Sequence, residues 1–385
     1  KALSQADGPY SKTPADRESN QPVLESALYN KAYCLQMVTK PDDKKPVFQK
    51  MAVDGYVDLA TRFPKSKYAP VALMQAGSIR SLNGDSAGAA ALFERLRKDY
   101  PESQEAKNVL FEMGRRFLDM GHRAEAIETF KKMFSEQGSY SDAQIYLAGQ
   151  ELLKSKEYEL ALQAFDRVGQ SAKDASLKTS ALLGKAEVMI AQEQFQAAIA
   201  VLNELAKAVK GTTRLVDVNL LLIRAASEQG MREQDADKRL DLFNSAVKAA
   251  KVVKTYRTNA VEKVDSDLEV ARLLTRKARA EEKFGTAEGV RKHKGQAAAA
   301  YQALILSTDP QNTLLAPALE TAYHEYLPLL ADIKRWQDLL DDCNAYLDAF
   351  PNGKWVADVR NLKTQAEVEV SVGGGKKAGA APDKR

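Results

Sequence analysis

Cysteine is almost missing from this chain of 385 residues: there are two, Cys34 and Cys343, near opposite ends. In an elongated fold they cannot meet, so no disulfide is expected and both read as core thiols. That usage leaves the redox compartment open. Histidine is as scarce, with His122, His293 and His324 each standing alone. No His-Glu-x-x-His, Cys-x-x-Cys or Gly-x-x-x-x-Gly-Lys-Ser/Thr run occurs. His122 lies in a turn and is expected to face solvent. The "DSDLE" and "DDC" runs lack the glycine spacing of a calcium loop and read as solvated helix faces. "GGG" near the end follows no strand, so it is no phosphate loop. The reading is of a chain without catalytic, cofactor or metal residues, and not an enzyme.

Long apolar runs are also missing. None approaches the roughly 20 residues that a membrane-spanning helix needs. Val, Ile and Thr form no alternating runs, so strands have little support. The formal net charge is +4, too small for this length to bring nucleic acid in by bulk electrostatics. The sequence opens on Lys1 rather than Met and shows no signal peptide, and a processed or trimmed piece of a longer protein is expected. What remains is 44% hydrophobic and 28% charged, the balance of a folded chain. Ala, Leu, Glu, Lys and Gln dominate the middle, and these favour helix.

The helices repeat. "GDSAGAAALFERL", "GHRAEAIETFKKM", "KEYELALQAFDRV" and "EQFQAAIAVLNEL" place a large apolar residue at Phe93, Phe130, Phe165 and Leu202, in steps of 37, 35 and 37 residues. A small residue precedes each by one helical turn: Ala89, Ala126, Ala161, Ala198. A further twelve residues back lie Gly77, Gly114, Gly149 and Ala186. Ala52 with Tyr56 reads as an earlier copy, Leu339 with Cys343 as a late one. Small residues let two antiparallel helices approach, and the large one fills the gap between pairs. "FPKS" and "YPES" stop one helix and reset the chain for the next, since proline has no N–H to continue with. One pair cannot bury its apolar face alone, so pairs must stack.

This pattern resembles the tetratricopeptide repeat, whose period is about 34 residues. The resemblance implies an all-α solenoid of tandem antiparallel helix pairs wound as a right-handed superhelix. The expected organisation is a flexible lead-in over 1–21, a regular array over 22–210, and an irregular tract with longer helices over 211–310. A last repeat with a capping helix would fill 311–369, and a disordered tail 370–385. The long helices near 235–306 either project or fold back on the array. In this family the first helix of each pair lines the concave groove. The corresponding positions here are Met74 with Ser78, Asn108, Phe111 and Arg115, Tyr146 and Gln150, Leu183 and Glu187. They are expected to hold an extended or helical peptide. The family's carboxylate clamp for chaperone tails needs a set of which only Asn108 and Arg115 are present.

A second candidate surface is basic. Lys248, Lys251, Lys254 and Arg257 share one helix face, followed by Arg276, Lys277, Arg279 and Lys283, then Arg291, Lys292 and Lys294. Acidic residues interleave with them, which favours a solvated face over an anionic-polymer site. Aromatics are nearly absent there, which argues against single-stranded nucleic acid. The aromatic-Pro-x-Ser spacing also resembles bacterial envelope repeat proteins: outer-membrane assembly lipoproteins and a periplasmic cell-division coordinator. That resemblance implies a periplasmic, non-enzymatic scaffold for protein partners within a larger assembly. The alternatives are the helical platform of a trimmed envelope enzyme, a binder of anionic polymer, or a cytoplasmic location.

Overall fold

The computed structural model describes residues 14–38, 44–136 and 140–378. Among them are helices and no strand. In order they are α1 (Pro14–Gln36), α2 (Lys45–Arg62), α3 (Ala69–Leu82), α4 (Ser86–Asp99), α5 (Gln104–Asp119), α6 (Arg123–Ser135), α7 (Asp142–Lys154), α8 (Tyr158–Ser171) and α9 (Ala175–Ala191). There follow α10 (Phe195–Ala208), α11 (Arg214–Gly230), α12 (Ala236–Tyr256), α13 (Ala260–Phe284), α14 (Ala287–Ser307), α15 (Ala316–Asp332), α16 (Trp336–Ala349) and α17 (Val356–Ala378). By packing the chain divides into two units, Lys1–Gly184 and Lys185–Arg385.

In the first unit α1 packs on α2, α3 on α4, α5 on α6 and α7 on α8. The first helices of successive pairs, α3, α5 and α7, touch one another, and α6 touches α8. The unit is thus a two-layered stack. In the second unit α11 packs on α12, α13 on α14 and α15 on α16, with α17 closing on α15 and α16. Its first helices α11, α13 and α15 again touch in sequence.

The contact that sets the spacing is a glycine against a phenylalanine ring. A Cβ on Gly77 would lie 2.5 Å from Phe93 Cε1, and one on Gly114 would lie 2.5 Å from Phe130 Cζ. Phe165 is pinched twice: a Cβ on Gly149 would fall 2.9 Å from its ring, and one on Gly184 2.7 Å. The pair α11/α12 obeys the same rule at positions the repeat spacing does not reach, with Gly230 against Phe243. Ala52, Ala89, Ala126, Ala161 and Ala198 are buried, as are Tyr56, Leu202, Leu339 and Cys343.

The stops are hydrogen-bonded as their sequences suggest. Phe63 N–H donates to Leu59 O at 2.9 Å, and Ser66 N–H to Phe63 O at 2.9 Å. Tyr100, with Leu96 O at 2.9 Å, and Phe350, with Tyr346 O at 2.8 Å, repeat the motif. Ser103 and Ser141 then cap α5 and α7 through Ala106 N–H and Gln144 N–H. The turn inside each pair is also shared. Asp85, His122, Glu157, Gln194 and Arg335 each donate their N–H to the carbonyl five residues back, at 2.8–2.9 Å. Such a closure needs a left-handed residue just before it. Gly84 (φ 81°) and Gly121 (φ 76°) supply it, and Lys156 (63°), Glu193 (60°) and Lys334 (60°) are forced into the same region.

Several expectations change. α1 begins at Pro14, inside the stretch read as lead-in, because a residue without an N–H suits a first helical turn. Residues 1–13 and 379–385 of the expected lead-in and tail lie outside the described residues, and α17 runs on to Ala378. The long helices α12, α13 and α14 have 21, 25 and 21 residues. Each has buried residues along the side that meets its neighbours, so none stands off as an arm. Cys34 is exposed, not a core thiol, because α1 packs mainly on α2 and leaves its other side open. Cys343 is buried, and burial pushes its thiol up to about 12.

Two opposite substitutions follow. Gly114→Ala should lower stability by about 1–3 kcal/mol, since its methyl overpacks the Phe130 ring. Lys156→Gly should raise it by about 1 kcal/mol, by relieving a left-handed side chain. Urea unfolding followed by circular dichroism reads both.

Candidate functional site

Within the first unit the touching first helices bring the expected groove residues onto one layer. Met74 and Ser78 on α3 are half-buried, as are Asn108, Phe111 and Arg115 on α5 and Tyr146 and Gln150 on α7. They are already bonded to one another's neighbours. Gln104 Nε2 donates to Asn108 Oδ1 at 3.2 Å, and Gln144 Nε2 donates to the same oxygen from α7. Arg115 Nη2 donates to Glu112 Oε2 at 2.9 Å, and that bond holds the guanidinium pKa above its usual value. Gln150 Nε2 donates to Tyr146 Oη at 2.8 Å, and the Tyr146 ring tilts on Phe165 with centroids 5.8 Å apart. The face is therefore a firm row of apolar and amide groups.

Two expected groove positions fall elsewhere. Leu183 is 7% exposed and belongs to the core, because its side of α9 turns inward beside buried Ala181 and Ala186. Glu187 is exposed and lies in the second unit. Gln144, which ties α7 to α5, is missed by the repeat spacing. Its signal is the Ser141-x-x-Gln144 capping box, whose Gln also reaches across to the neighbouring helix.

The basic tract does not form one cationic face. Lys248 and Lys251 are exposed on α12. Lys254 donates to both oxygens of Asp267 at 2.6 and 2.7 Å, and Arg257 pairs with Glu262 at 3.4 Å. Arg276 pairs with Glu228 at 2.6 Å, and Lys277 is buried, 6% exposed. The helices meet side by side, so cations of one face carboxylates of the next. Arg239, 2% exposed and unremarked in the sequence, anchors this region. It donates to Glu281 Oε2 at 2.9 Å and to the carbonyls of Glu233 and Gln234 at 3.2 and 2.9 Å.

The sequence also gives no sign of two clefts in the second unit. One of about 590 Å³ lies between α11 and α13 over α12, with Leu220, Ile223, Ala250 and Val253 as its apolar floor. The other, about 560 Å³, lies between α13 and α15 over α14. Its polar wall is closed on itself. Arg272 grips Glu325 through Nη2 at 2.7 Å and Nε at 2.9 Å, and Tyr301 Oη donates to Glu325 at 2.8 Å. Burial alone would raise the Glu325 carboxyl, but those bonds outweigh it and hold it low.

The histidines stay apart. His122 Nδ1 is 3.1 Å from Ser86 Oγ and its ring stacks on Phe117, so it is part of a contact and not simply solvent-facing. His324 stacks on Trp355 with centroids 3.7 Å apart. His293 Nδ1 is buried and finds no hydrogen-bond partner among the described residues. Among the described residues no group of three or more His, Cys, Asp or Glu is placed to hold a metal ion. No described helix is long and apolar enough to cross a membrane.

Residues 71–103 match the tetratricopeptide repeat family model, a stretch that holds most of α3, all of α4 and the Tyr100–Pro101 stop. Comparison with the curated proteins gives no match. Among solved structures, a tetratricopeptide repeat protein from Parabacteroides merdae is similar at 14% identity over 78% of this chain and 99% of that one, with a TM-score of 0.33. Yeast Tom70 is similar at 12% identity over 96% of this chain and 68% of that one, also at 0.33.

One pH effect follows from His293. Burial lowers its pKa, Lys277 and Lys292 lower it further with Arg239, and Glu281 opposes them. A base whose pKa is depressed on folding adds stability above its unfolded value, near 6.5, and loses it as the pH falls toward the folded value. The wild-type urea midpoint should therefore fall relative to that of His293→Gln between about pH 7 and about pH 5. Parallel curves for the two proteins would contradict this.

Proposed function

We propose that the chain is a non-enzymatic scaffold whose first-unit inner layer holds a segment of a partner protein. The observation behind this is the row Met74/Ser78, Phe111/Arg115, Tyr146/Gln150. Each helix presents an apolar group beside a polar one, on three helices already fixed to one another. A preformed surface loses little order on binding, so modest contacts suffice. Alternating apolar and polar sites suit an extended or helical peptide, which offers side chains at regular steps. The envelope resemblance of the aromatic-Pro-x-Ser stops supports a periplasmic setting and membership of a larger assembly. Fractionation of source cells tests the setting, with the chain expected in periplasmic or membrane fractions and a cytoplasmic chain contradicting it.

Capture from source-cell extract tests the surface. Wild type should retain a protein partner that Phe111→Ala/Tyr146→Ala releases, with an affinity loss of about tenfold or more, as aromatic anchors usually show. Gln150→Arg obstructs the same face without removing a ring and should act likewise. Circular dichroism checks that helicity is kept. Partners that stay bound to both folded variants would overturn the assignment.

A further inference from the structure

Lys277 on α13 and His293 on α14 each bury a nitrogen that nothing in the chain bonds. Lys277 is 6% exposed, and among the described residues its ammonium makes no hydrogen bond or ion pair. A buried charge left unpaired is costly. His293 Nδ1 is buried and equally unbonded. The two groups lie close enough to act on one another. Burial lowers the His293 pKa, and Lys277 lowers it further. Burial also lowers the Lys277 pKa, Lys292 adds to this, and Glu281 opposes it. Glu281, the carboxylate of this cluster, is already committed. Arg239 Nη2 donates to it at 2.9 Å, and Thr286 N–H donates to it at 3.3 Å. A Cβ on Gly285 or Gly289 would strike it, so bare backbone at the start of α14 holds it in place. Glu288, one turn before Lys292, is exposed and pairs with neither lysine. With Arg239 and Glu281 matched, Lys277 and Lys292 are cations without a carboxylate.

We propose that this cluster binds a small, doubly charged oxyanion of the sulfate or phosphate class, held by Lys277 Nζ and His293 Nδ1 with exposed Lys292 at its mouth. So little of Lys277 is exposed that an occupant held by its ammonium must be small. Two unmatched cations suit two negative charges better than one carboxylate. The imidazole donates to the ion in the tautomer that carries its proton on Nδ1. A bound oxyanion bridges α13 and α14 and gives the buried ammonium the acceptor it needs. The site lies in the second unit and is independent of the partner-binding layer proposed for the first.

The test is equilibrium dialysis of radiolabelled sulfate against the full chain, with ionic strength held constant by sodium chloride. Wild type should take up sulfate at a single saturable site, and inorganic phosphate should displace it. Lys277→Met fills similar space without charge and should weaken uptake by about tenfold or more. With the buried charge gone it should be no less stable than wild type, which urea unfolding checks, so its loss of uptake is not loss of fold. Lys292→Gln alters an exposed side chain and should weaken uptake severalfold. Lys210→Met removes an exposed cation elsewhere in the second unit and should leave uptake unchanged. No saturable uptake by wild type overturns the proposal. So does full uptake by Lys277→Met, or equal loss in Lys210→Met. If Lys277→Met does not fold, Lys292→Gln decides, and unchanged uptake there overturns the site. A phosphoserine peptide that displaces sulfate at lower concentration than free phosphate also overturns it, since the ligand would then be a phosphorylated partner rather than a free ion.

Discussion

The pinch of a phenylalanine ring against a bare glycine sets how closely the two helices of a pair can lie. Phe93 on Gly77, Phe130 on Gly114 and Phe165 on Gly149 leave less room than one methyl group. The packing distance of each pair is thereby held, and with it the layer formed by α3, α5 and α7. A binding face spread over three separate helices works only if those helices keep their places. The same contact at Gly230 and Phe243 appears where the repeat spacing has drifted, so the physical constraint outlasts the sequence register.

Charge does a different job in the second unit. Its many cations are mostly spent on neighbouring helices: Lys254 on Asp267, Arg272 on Glu325, Arg239 on Glu281. Pairs with an exposed member add little stability. Arg239 is nearly enclosed, and removing it would leave Glu281 with an uncompensated buried charge.

Much of the fold was legible because it repeats. Periodic Ala and Gly, the aromatic-Pro-x-Ser stops and the twin small positions fix helix pairs without any three-dimensional knowledge. Longer helices near 235–306 were legible from their unbroken helical pattern, while the Asp235, Asn259 and Thr286 caps that start α12, α13 and α14 went unread. The candidate site was only half legible. Phe111, Tyr146 and Gln150 lie half-buried on the first helices α5 and α7. Leu183 on α9 is instead buried at 7% exposure, since packing around that helix is not written in the repeat spacing. The interleaved acids of the basic tract already spoke against a cationic site, but which cation meets which carboxylate was not legible, because pairing across helices has no fixed spacing in sequence. Gln144 and the clefts depend on neighbours many residues away, which no local pattern records.

Photo-crosslinking in source cells tests the central claim most directly. A benzophenone amino acid replaces Tyr146 on α7 in one variant and exposed Lys98 on α4 in another. The account predicts a discrete protein adduct from position 146 and none of the same mass from position 98. Adducts from position 98 alone, or the same adduct from both, would contradict the claim that the first-helix layer holds the partner.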